Sequence, residues 1–377
     1  ASLLRRYEGK VKCIYIDPPF NTNSAANTFT YNNTFNHSSW LTFMKNRLEL
    51  SKKLLSPDGL CIISIDHNML FYLGVLVDEI FGKENQMGVL SIVHNPGGRQ
   101  DETFFPTAHE NMLVYAKDIT SVSINNLPPD EEKLKEYSLE DEYGRYKLRN
   151  FRRSGNNSLR IERPGLYYPI YINPETEDIS LNKTKNFSVE VLPIDRNGIE
   201  KCWRWGKSTL LENKEKYIEV RPSKNKYDIF IKERESDYQG EKPKTIWDKP
   251  KYTGQTATNE LKKLLGEKIF SYPKSPFLMI DILYVATNPQ DIVLDFFSGS
   301  GTTAHAVLEL NKYDNGDRRF ILCEQMDYIE SVTVERVSAV IKSHNQGSFI
   351  YCELMEQNEA IVSALQEADT SEAVQAI

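Results

Sequence analysis

Short apolar runs alternate, over the first third of the chain, with stretches whose apolar positions recur every three or four residues. That alternation predicts strands and helices in turn. "KCIYI" and "LCIISI" have strand length and read as buried strands. Between them, "SSWLTFMKNRLELSKKLLSPDG" sets Trp40, Phe43, Met44, Leu48, Leu54 and Leu55 at helical spacing. Ser38 or Ser39 is the expected cap, and Pro57-Asp58-Gly59 the expected stop. "MLFYLGVLVDEIFG" predicts a second helix ended by Gly82, and "HENMLVYAK" a further strand.

The pattern changes near residue 118. "PDEEKLKEYSLEDE" is strongly acidic and predicts a solvated helix or linker. It is followed by "YGRYKLRNFRRSGNNSLRIERPG", where Arg145, Lys147, Arg149, Arg152, Arg153, Arg160 and Arg163 face only Glu162 along the chain. "YYPIYINPETEDIS" and "YIEVRPSKNKYDIFIKERE" then alternate apolar and polar positions around turn residues, which predicts β-hairpins. Trp203 and Trp205 are expected to pack this module. Near 270 the first pattern returns. "SPFLMIDILYVAT" is a helix with Ser275 at the cap and Pro276 at its first position. "DIVLDFFSGSGTTAHAVLELN" reads strand, glycine turn, helix; "RRFILCEQMD" is a strand and "YIESVTVERVSAVI" a helix. The expected organisation is therefore an α/β domain built from residues 1–117 and 268–350, an insert over 118–267, and a polar tail over 351–377. The two flanking segments are expected to share one sheet.

Composition narrows this only slightly. The chain has 377 residues and a net charge of −7, so any nucleic-acid surface has to be local. The five cysteines are dispersed without CxxC spacing, which points away from a disulfide framework or a zinc site and towards a reducing, cytoplasmic compartment. No apolar stretch approaches the roughly 20 residues of a membrane span. The first residue is Ala1, so the chain is expected to begin inside a longer protein.

Two loops carry candidate chemistry. In "LDFFSGSGTTA", Gly299, Gly301 and Ala304 fit G-x-G-x-x-A, with Glu324 following at roughly the 20-residue spacing of a ribose-binding acid. A dinucleotide is one reading. Asp295, Phe296 and Phe297 open the turn with a carboxylate that would repel a pyrophosphate, which favours a ligand carrying a sulfonium and an ammonium, S-adenosylmethionine. In "VKCIYIDPPFNT", an apolar strand ends on Asp17, Pro18, Pro19 and Phe20. The two prolines fix φ and remove two amide donors, leaving the Asp17 carboxylate and the Pro18 carbonyl as acceptors beside an aromatic face. Two acceptors and a ring suit an exocyclic amino group on a planar base. Accepting both of its protons favours the localised lone pair that attacks a methyl group, and Phe20 can replace the stacking lost when a base leaves the duplex.

"IYIDPPFNT", "ISID", "HENMLVYAK", "NSLRIERPGLYYPIYINP", "SYPKSPFLMIDIL", "DFFSGSGTTAHAVLELN" and "GSFIYCEL" together resemble the modification subunit of type III restriction–modification systems, in the permuted class of DNA amino-methyltransferases with the catalytic loop first. The resemblance covers nearly the whole chain. It implies a Rossmann-like, mostly parallel, doubly wound methyltransferase sheet with an inserted, mostly β target-recognition module, and N6-adenine methylation of duplex DNA. By that resemblance Asp17, Pro18, Pro19 and Phe20 form the target-base loop. Asp295, Phe296, Phe297, Ser298, Gly299, Ser300, Gly301 and Thr302 cradle S-adenosyl-L-methionine, Glu324 holds its ribose, and Lys274 and Ser275 stand at a helix N-terminus for its carboxylate. It further implies a homodimer and a partner restriction (nuclease/helicase) subunit. The family's usual Tyr is Phe20 here, which keeps the stacking face. The family's strand and loop upstream of "SLLRRYEGKVK" are absent, so weak cofactor binding by this chain is expected.

The cluster of Arg145, Arg149, Arg152, Arg153, Asn156, Asn157, Arg160 and Arg163, with Tyr146 and Phe151, is the expected DNA-facing surface: arginine for phosphates or guanine edges, asparagine for adenine edges. The rival readings are cytosine-N4 methylation on the same scaffold, against which the acid of "DPPF" speaks, and a specificity subunit that binds DNA without turnover. An NAD oxidoreductase has no use for the Pro-Pro loop.

Overall fold

The computed structural model describes residues 3–22, 35–98, 103–129, 131–223, 226–266 and 270–353. Of the polar tail expected over 351–377, residues 354–377 lie outside these. In chain order the first segment gives α1 (Leu4–Tyr7), β1 (Val11–Ile16), α2 (His37–Leu54), β2 (Leu55–Ile65), α3 (Leu70–Phe81), β3 (Gln86–Val93) and β4 (His109–Ala116). The middle segment gives α4 (Glu131–Leu134), β5 (Leu139–Asp141), β6 (Gly144–Asn150), β7 (Ile170–Ile172), β8 (Ile179–Ser180), β9 (Val189–Val191), α5 (Lys207–Tyr217), β10 (Ile218–Ser223) and β11 (Lys226–Arg234). The last gives β12 (Ile246–Trp247), α6 (Gly254–Leu265), α7 (Pro276–Ala286), β13 (Ile292–Asp295), α8 (Thr302–Asp314), β14 (Arg319–Leu322) and α9 (Glu335–His344).

One seven-stranded sheet runs β12-β3-β4-β2-β1-β13-β14. β2, β1, β13 and β14 are parallel, β12 is parallel to β3, and β4 runs antiparallel to both of its neighbours. β1 is buried at all six positions, as a central strand covered on both faces must be. From β1 the chain moves outward through α2 to β2; from β13 it moves the opposite way through α8 to β14. With right-handed crossovers the two helices cover opposite faces, and the strand order reverses between β1 and β13. Ligands in such sheets sit beyond the carboxyl ends of the strands at that reversal.

Local sequence explains most boundaries. Trp40, Met44, Leu48, Ser51 and Leu54 give α2 its buried stripe. Its cap is Asn36, whose side chain accepts from Ser39 N at 2.8 Å, so the helix starts ahead of either predicted serine. Leu73, Leu76, Val77 and Phe81 bury one face of α3, which stops at Gly82 with φ 92. Pro57-Asp58-Gly59 is not a loop between helix and strand. It lies inside β2, where the register with β1 shifts between Val11 and Cys13. β3 was not visible as a strand in the sequence, because most of its side chains are only half buried and its apolar pattern is weak.

The chain divides into two compact units, residues 1–125 with 243–377, and 126–242. The expected insert of 118–267 is therefore too long at both ends. Asn125 donates to the Val285 carbonyl, and Ile246 and Trp247 pair with β3 of the large sheet. The smaller unit is the expected hairpin module, with a four-stranded antiparallel sheet β10-β11-β6-β5 and a three-stranded sheet β8-β7-β9. Its core holds Phe151, Tyr168, Ile170, Ile172, Trp203, Leu210, Val220 and Ile229, with Trp205 packed against it.

Candidate active site

The two candidate loops leave the sheet side by side. β1 and β13 pair in parallel with Cys13 opposite Val293 and Ile14 opposite Leu294, so Asp17 and Asp295 end neighbouring strands on the same edge. Beyond β1, Pro18 is buried and Phe20 is packed partly into the core. The Trp40 indole donates to the Pro19 carbonyl at 2.8 Å, and Asn21 holds φ 55 with a buried side chain. The corner is thus pinned from α2. Trp40→Phe keeps most of the buried ring but strands the Pro19 carbonyl. It is expected to lower stability by about 1–3 kcal/mol, read by urea unfolding.

The second loop folds around its glycines. Gly299 and Gly301 have φ 47 and 76, and a Cβ on Gly301 would stand 3.2 Å from Thr333 Cγ2. Gly301 precedes the first residue of α8, so free helix-terminal amides sit next to the turn. Asp295 is buried, with its carboxylate accepting from Phe297 N at 3.0 Å and Thr303 Oγ1 at 2.5 Å. It braces the loop from inside as well as setting its charge. Glu324 Oε2 accepts from Gly299 N at 2.9 Å, which ties the acid after β14 to the turn. The Phe297 ring lies tilted against those of Phe296 and Phe43, with centres 5.4 and 5.8 Å away. Ser298 Oγ is buried and has no hydrogen-bond partner among the described residues.

Electrostatically the edge is acidic. Burial raises the Asp17 carboxyl to about 6, with Glu110 raising it further and Lys274 opposing. Burial likewise raises Asp295 to about 7, against the two hydrogen bonds it accepts and with the help of Asp17 and Glu324. Lys274 Nζ lies 2.5 Å from Glu110 Oε2, 3.3 Å from Asp17 Oδ1 and 5.1 Å from the Phe20 ring centre. Ser275 caps α7 by position only: its hydroxyl donates to the Lys251 carbonyl at 2.7 Å, not to the helix. A set of carboxylates around a glycine turn with a helix N-terminus suits a ligand that carries both positive centres and a carboxylate.

Several residues of this edge were not singled out from the sequence. Glu110 opens β4, and its only signal was an acid at the start of a buried strand. Arg336 is fully buried: its Nη1 donates to Ser300 Oγ at 2.9 Å and Thr302 Oγ1 at 2.7 Å, while Nε and Nη2 face His305 Nδ1. Burial pulls its guanidinium down to about 9. Its signal was a charge on the inward stripe of α9 with Val337 and Val340.

The arginine cluster of the smaller unit is brought together less completely than its spacing suggested. Arg145 pairs with Glu235 at 3.1 Å, Arg149 with Glu233 at 2.8 Å and Arg160 with Glu200 at 2.9 Å, all acids distant in sequence. Phe151 and Tyr146 are buried in the unit's interior, so neither is a surface contact. Arg152 Nη1 donates to the Ile194 carbonyl. Arg153, Arg163, Asn156 and Asn157 remain on the loop between β6 and β7 beside the exposed Ile161, and Asn157 holds φ 54. Arg152, Arg153 and Arg163 form no ion pair among the described residues. Among those residues there is also no group of His, Cys, Asp and Glu that could hold a metal ion, and no helix long and apolar enough to cross a membrane.

Residues 11–357 match the family model of DNA methylases, N6_N4_Mtase. The chain is 36% identical over 379 residues to the type III restriction–modification enzyme EcoPI Mod subunit of Escherichia phage P1, a match covering 90% of this chain and 58% of that protein. It is 35% identical over 321 residues to the type II methyltransferase M.KpnI of Klebsiella pneumoniae, covering 82% of this chain and 74% of that one. This chain thus spans a little over half of the phage protein. Among solved structures, the M1.HpyAVI–SAM complex aligns over 89% of this chain and 92% of its own at a TM-score of 0.39 and 14% identity, too loose a likeness to carry a conclusion.

Proposed function

The chain belongs to the DNA methylase family, and from that premise we propose that it transfers a methyl group from S-adenosyl-L-methionine to the exocyclic N6 of an adenine flipped out of duplex DNA. The observation that carries the reading is the parallel pairing of β1 with β13, which sends the donor-free corner and the glycine turn off one sheet edge at the reversal of strand order. When bound, S-adenosylmethionine supplies an electrophilic methyl. Residues Asp295 to Thr302, with Glu324 and Ser275, would hold it. The acidic surroundings of the turn favour its positive centres, and the α8 amides favour its carboxylate.

The chain's own residues do the rest on the base side. Phe20 stacks on the adenine ring. The Asp17 carboxylate and the Pro18 carbonyl accept the two amino protons, which turns the nitrogen lone pair out of conjugation and towards the methyl. Trp40 already occupies Pro19's carbonyl, which leaves Asp17 and Pro18 as the acceptors offered to the base. At neutral pH Asp17 is mostly ionised, so it accepts rather than donates. This acid is what favours adenine N6 over cytosine N4. The smaller unit would read the DNA through the arginines that form no ion pair among the described residues, Arg152, Arg153 and Arg163, for phosphates or guanine edges, and through Asn156 and Asn157 for adenine edges. The likeness to a Mod subunit supports a place in a restriction–modification system; a cytoplasmic homodimer working with a partner restriction subunit is part of the same proposal.

Labelled S-adenosylmethionine and mixed-sequence duplex DNA, digested to nucleosides after incubation with the protein, test this. Label is expected in N6-methyladenosine. Label in N4-methylcytosine would select the other amino-methylation, and DNA retention without label would leave a specificity subunit.

A further inference from the structure

We propose that Lys274 and Glu110 are positioning residues for the base-binding acid: Lys274 serves Asp17 rather than a cofactor carboxylate, and Glu110 holds the lysine so that it lends Asp17 its charge without filling Asp17's lone pairs. The inference rests on the amino-methyltransferase reading of Asp17 and goes beyond it by reassigning the lysine.

Three elements converge here. β4 runs antiparallel to β2, with Asn111 opposite Ile65, so the start of β4 lies at the same sheet edge as the end of β1. Lys274 immediately precedes the cap of α7, and its backbone carbonyl faces Thr302 Oγ1 at 3.4 Å. The ammonium therefore arrives between two carboxylates, and it treats them unequally. It donates a hydrogen bond to Glu110 Oε2 at 2.5 Å. The contact with Asp17 Oδ1 is longer, at 3.3 Å, and poorly aligned, so the lysine acts there mainly through its charge, and that oxygen is buried without a well-formed hydrogen bond among the described residues. Asp17 keeps its accepting capacity while a positive charge stands beside it. Glu110 is buried, and its second oxygen, Oε1, is also without such a partner.

A lysine so placed is a poor clamp for a free carboxylate, because two carboxylates already compensate its charge. It is well placed to keep a half-buried acid ionised. Without Lys274, Asp17 and Glu110 would be two like charges sharing one desolvated site, and one of them would hold its proton through neutral pH. The groups that bear on Asp17 are Lys274 and Glu110 across the edge, Tyr15 on its own strand and Asp295 on the neighbouring one. Of these, Lys274 alone favours the carboxylate.

The test uses Lys274→Met, Glu110→Gln and the double variant, with two readouts. One is the acid limb of kcat/KM for methyl transfer. The other, which needs no turnover, is the titration of Asp17 by carboxyl 13C NMR, assigned with Asp17→Asn. Lys274→Met is expected to move both upward by at least about one pH unit, while the calorimetric affinity for S-adenosylmethionine is retained. Adding Glu110→Gln should bring them part of the way back, because the like charge is gone while the lysine's larger opposing charge stays missing; with one carboxylate left in the site instead of two, this variant guards against a folding defect. Glu110→Gln alone should move them down and lower the plateau rate, as the lysine closes on Asp17. A loss of cofactor affinity of tenfold or more in Lys274→Met, with the Asp17 titration unmoved, would overturn the assignment. Should the unaltered protein transfer no methyl group, the NMR titration still decides the lysine's role, so the two readings fail separately.

Discussion

Replacing Asp17 by alanine is expected to slow methyl transfer by roughly 10²–10³-fold, the loss typical of removing one pre-positioned hydrogen-bonding group at a reacting centre, while binding of duplex DNA is retained. The carboxylate is the strongest acceptor of a corner that has no amide donors at Pro18 or Pro19. Without it the amino group is held by one carbonyl, and its lone pair stays delocalised in the ring. The fold should survive, because Lys274 keeps its hydrogen bond to Glu110 and no bare ammonium is buried. Asp17→Asn should fall between alanine and the unaltered protein: it restores one acceptor oxygen but presents an NH2 to an NH2 in one of its two orientations. Single-turnover transfer and DNA retention, measured side by side on both variants with a melting curve as the control, give the answer. Transfer by Asp17→Ala within a few-fold of normal would remove the acid from the mechanism.

Most of what positions this corner was legible because it is written locally. The buried runs, the helix between them, the Gly82 stop and the glycine turn each follow from local sequence, and the structure contains them all, with α2 capped by Asn36 and ending ahead of Pro57 instead of at it. The shared edge of β1 and β13 is a contact across the whole insert, yet it too followed, since two apolar strands ending on acids have few ways to join one sheet. What stayed hidden depends on partners far along the chain. The β11 acid that takes Arg149, and Glu235 just after that strand, which takes Arg145, lie more than eighty positions away from them. A reading of local charge therefore overstated the free basic surface. Glu110 and Arg336 were hidden for the same reason: an acid at a strand start and an arginine on a helix look solvated until the neighbours that bury them are known. The insert's ends were misjudged because β12 has only two residues and its membership in the large sheet rests on pairing with β3.

The ligand-free protein is expected to lose stability between pH 5 and pH 8 while its methyl-transfer activity rises over the same range. Asp17 and Asp295 titrate at about 6 and about 7 in the fold, against 3.8 for an ordinary aspartate. Between 3.8 and those values the folded state holds more protons than the unfolded one, so the stability these groups contribute is complete below 3.8 and disappears as pH climbs through 6 and 7. Over pH 5 to pH 8 the two carboxyls together lose at most roughly 4 kcal/mol, since each pH unit separating folded from unfolded titration is worth roughly 1.4 kcal/mol. His305 works the other way: burial holds it below its ordinary 6.5, so unfolding takes up a proton there and stability rises with pH up to that point. It opposes the two acids below that point. Glu309, held down at about 2 by His305, and Asp58, held down by Lys12, act only in stronger acid, where their contributions are lost as pH falls. Activity rises with ionisation of Asp17, because the carboxylate accepts from the amino group far better than the protonated acid does. Urea unfolding at pH 5, 6.5 and 8, beside the pH dependence of kcat/KM, should therefore give slopes of opposite sign. Asp295→Asn should flatten the stability slope and raise stability at pH 8, since its oxygen can still accept from Phe297 N and its amide can donate to the Thr303 hydroxyl. Stability that rises steadily from pH 5 to pH 8 would mean that these carboxylates are solvated in the unliganded protein, and that the acidic edge is not the closed, low-dielectric site on which the chemistry depends.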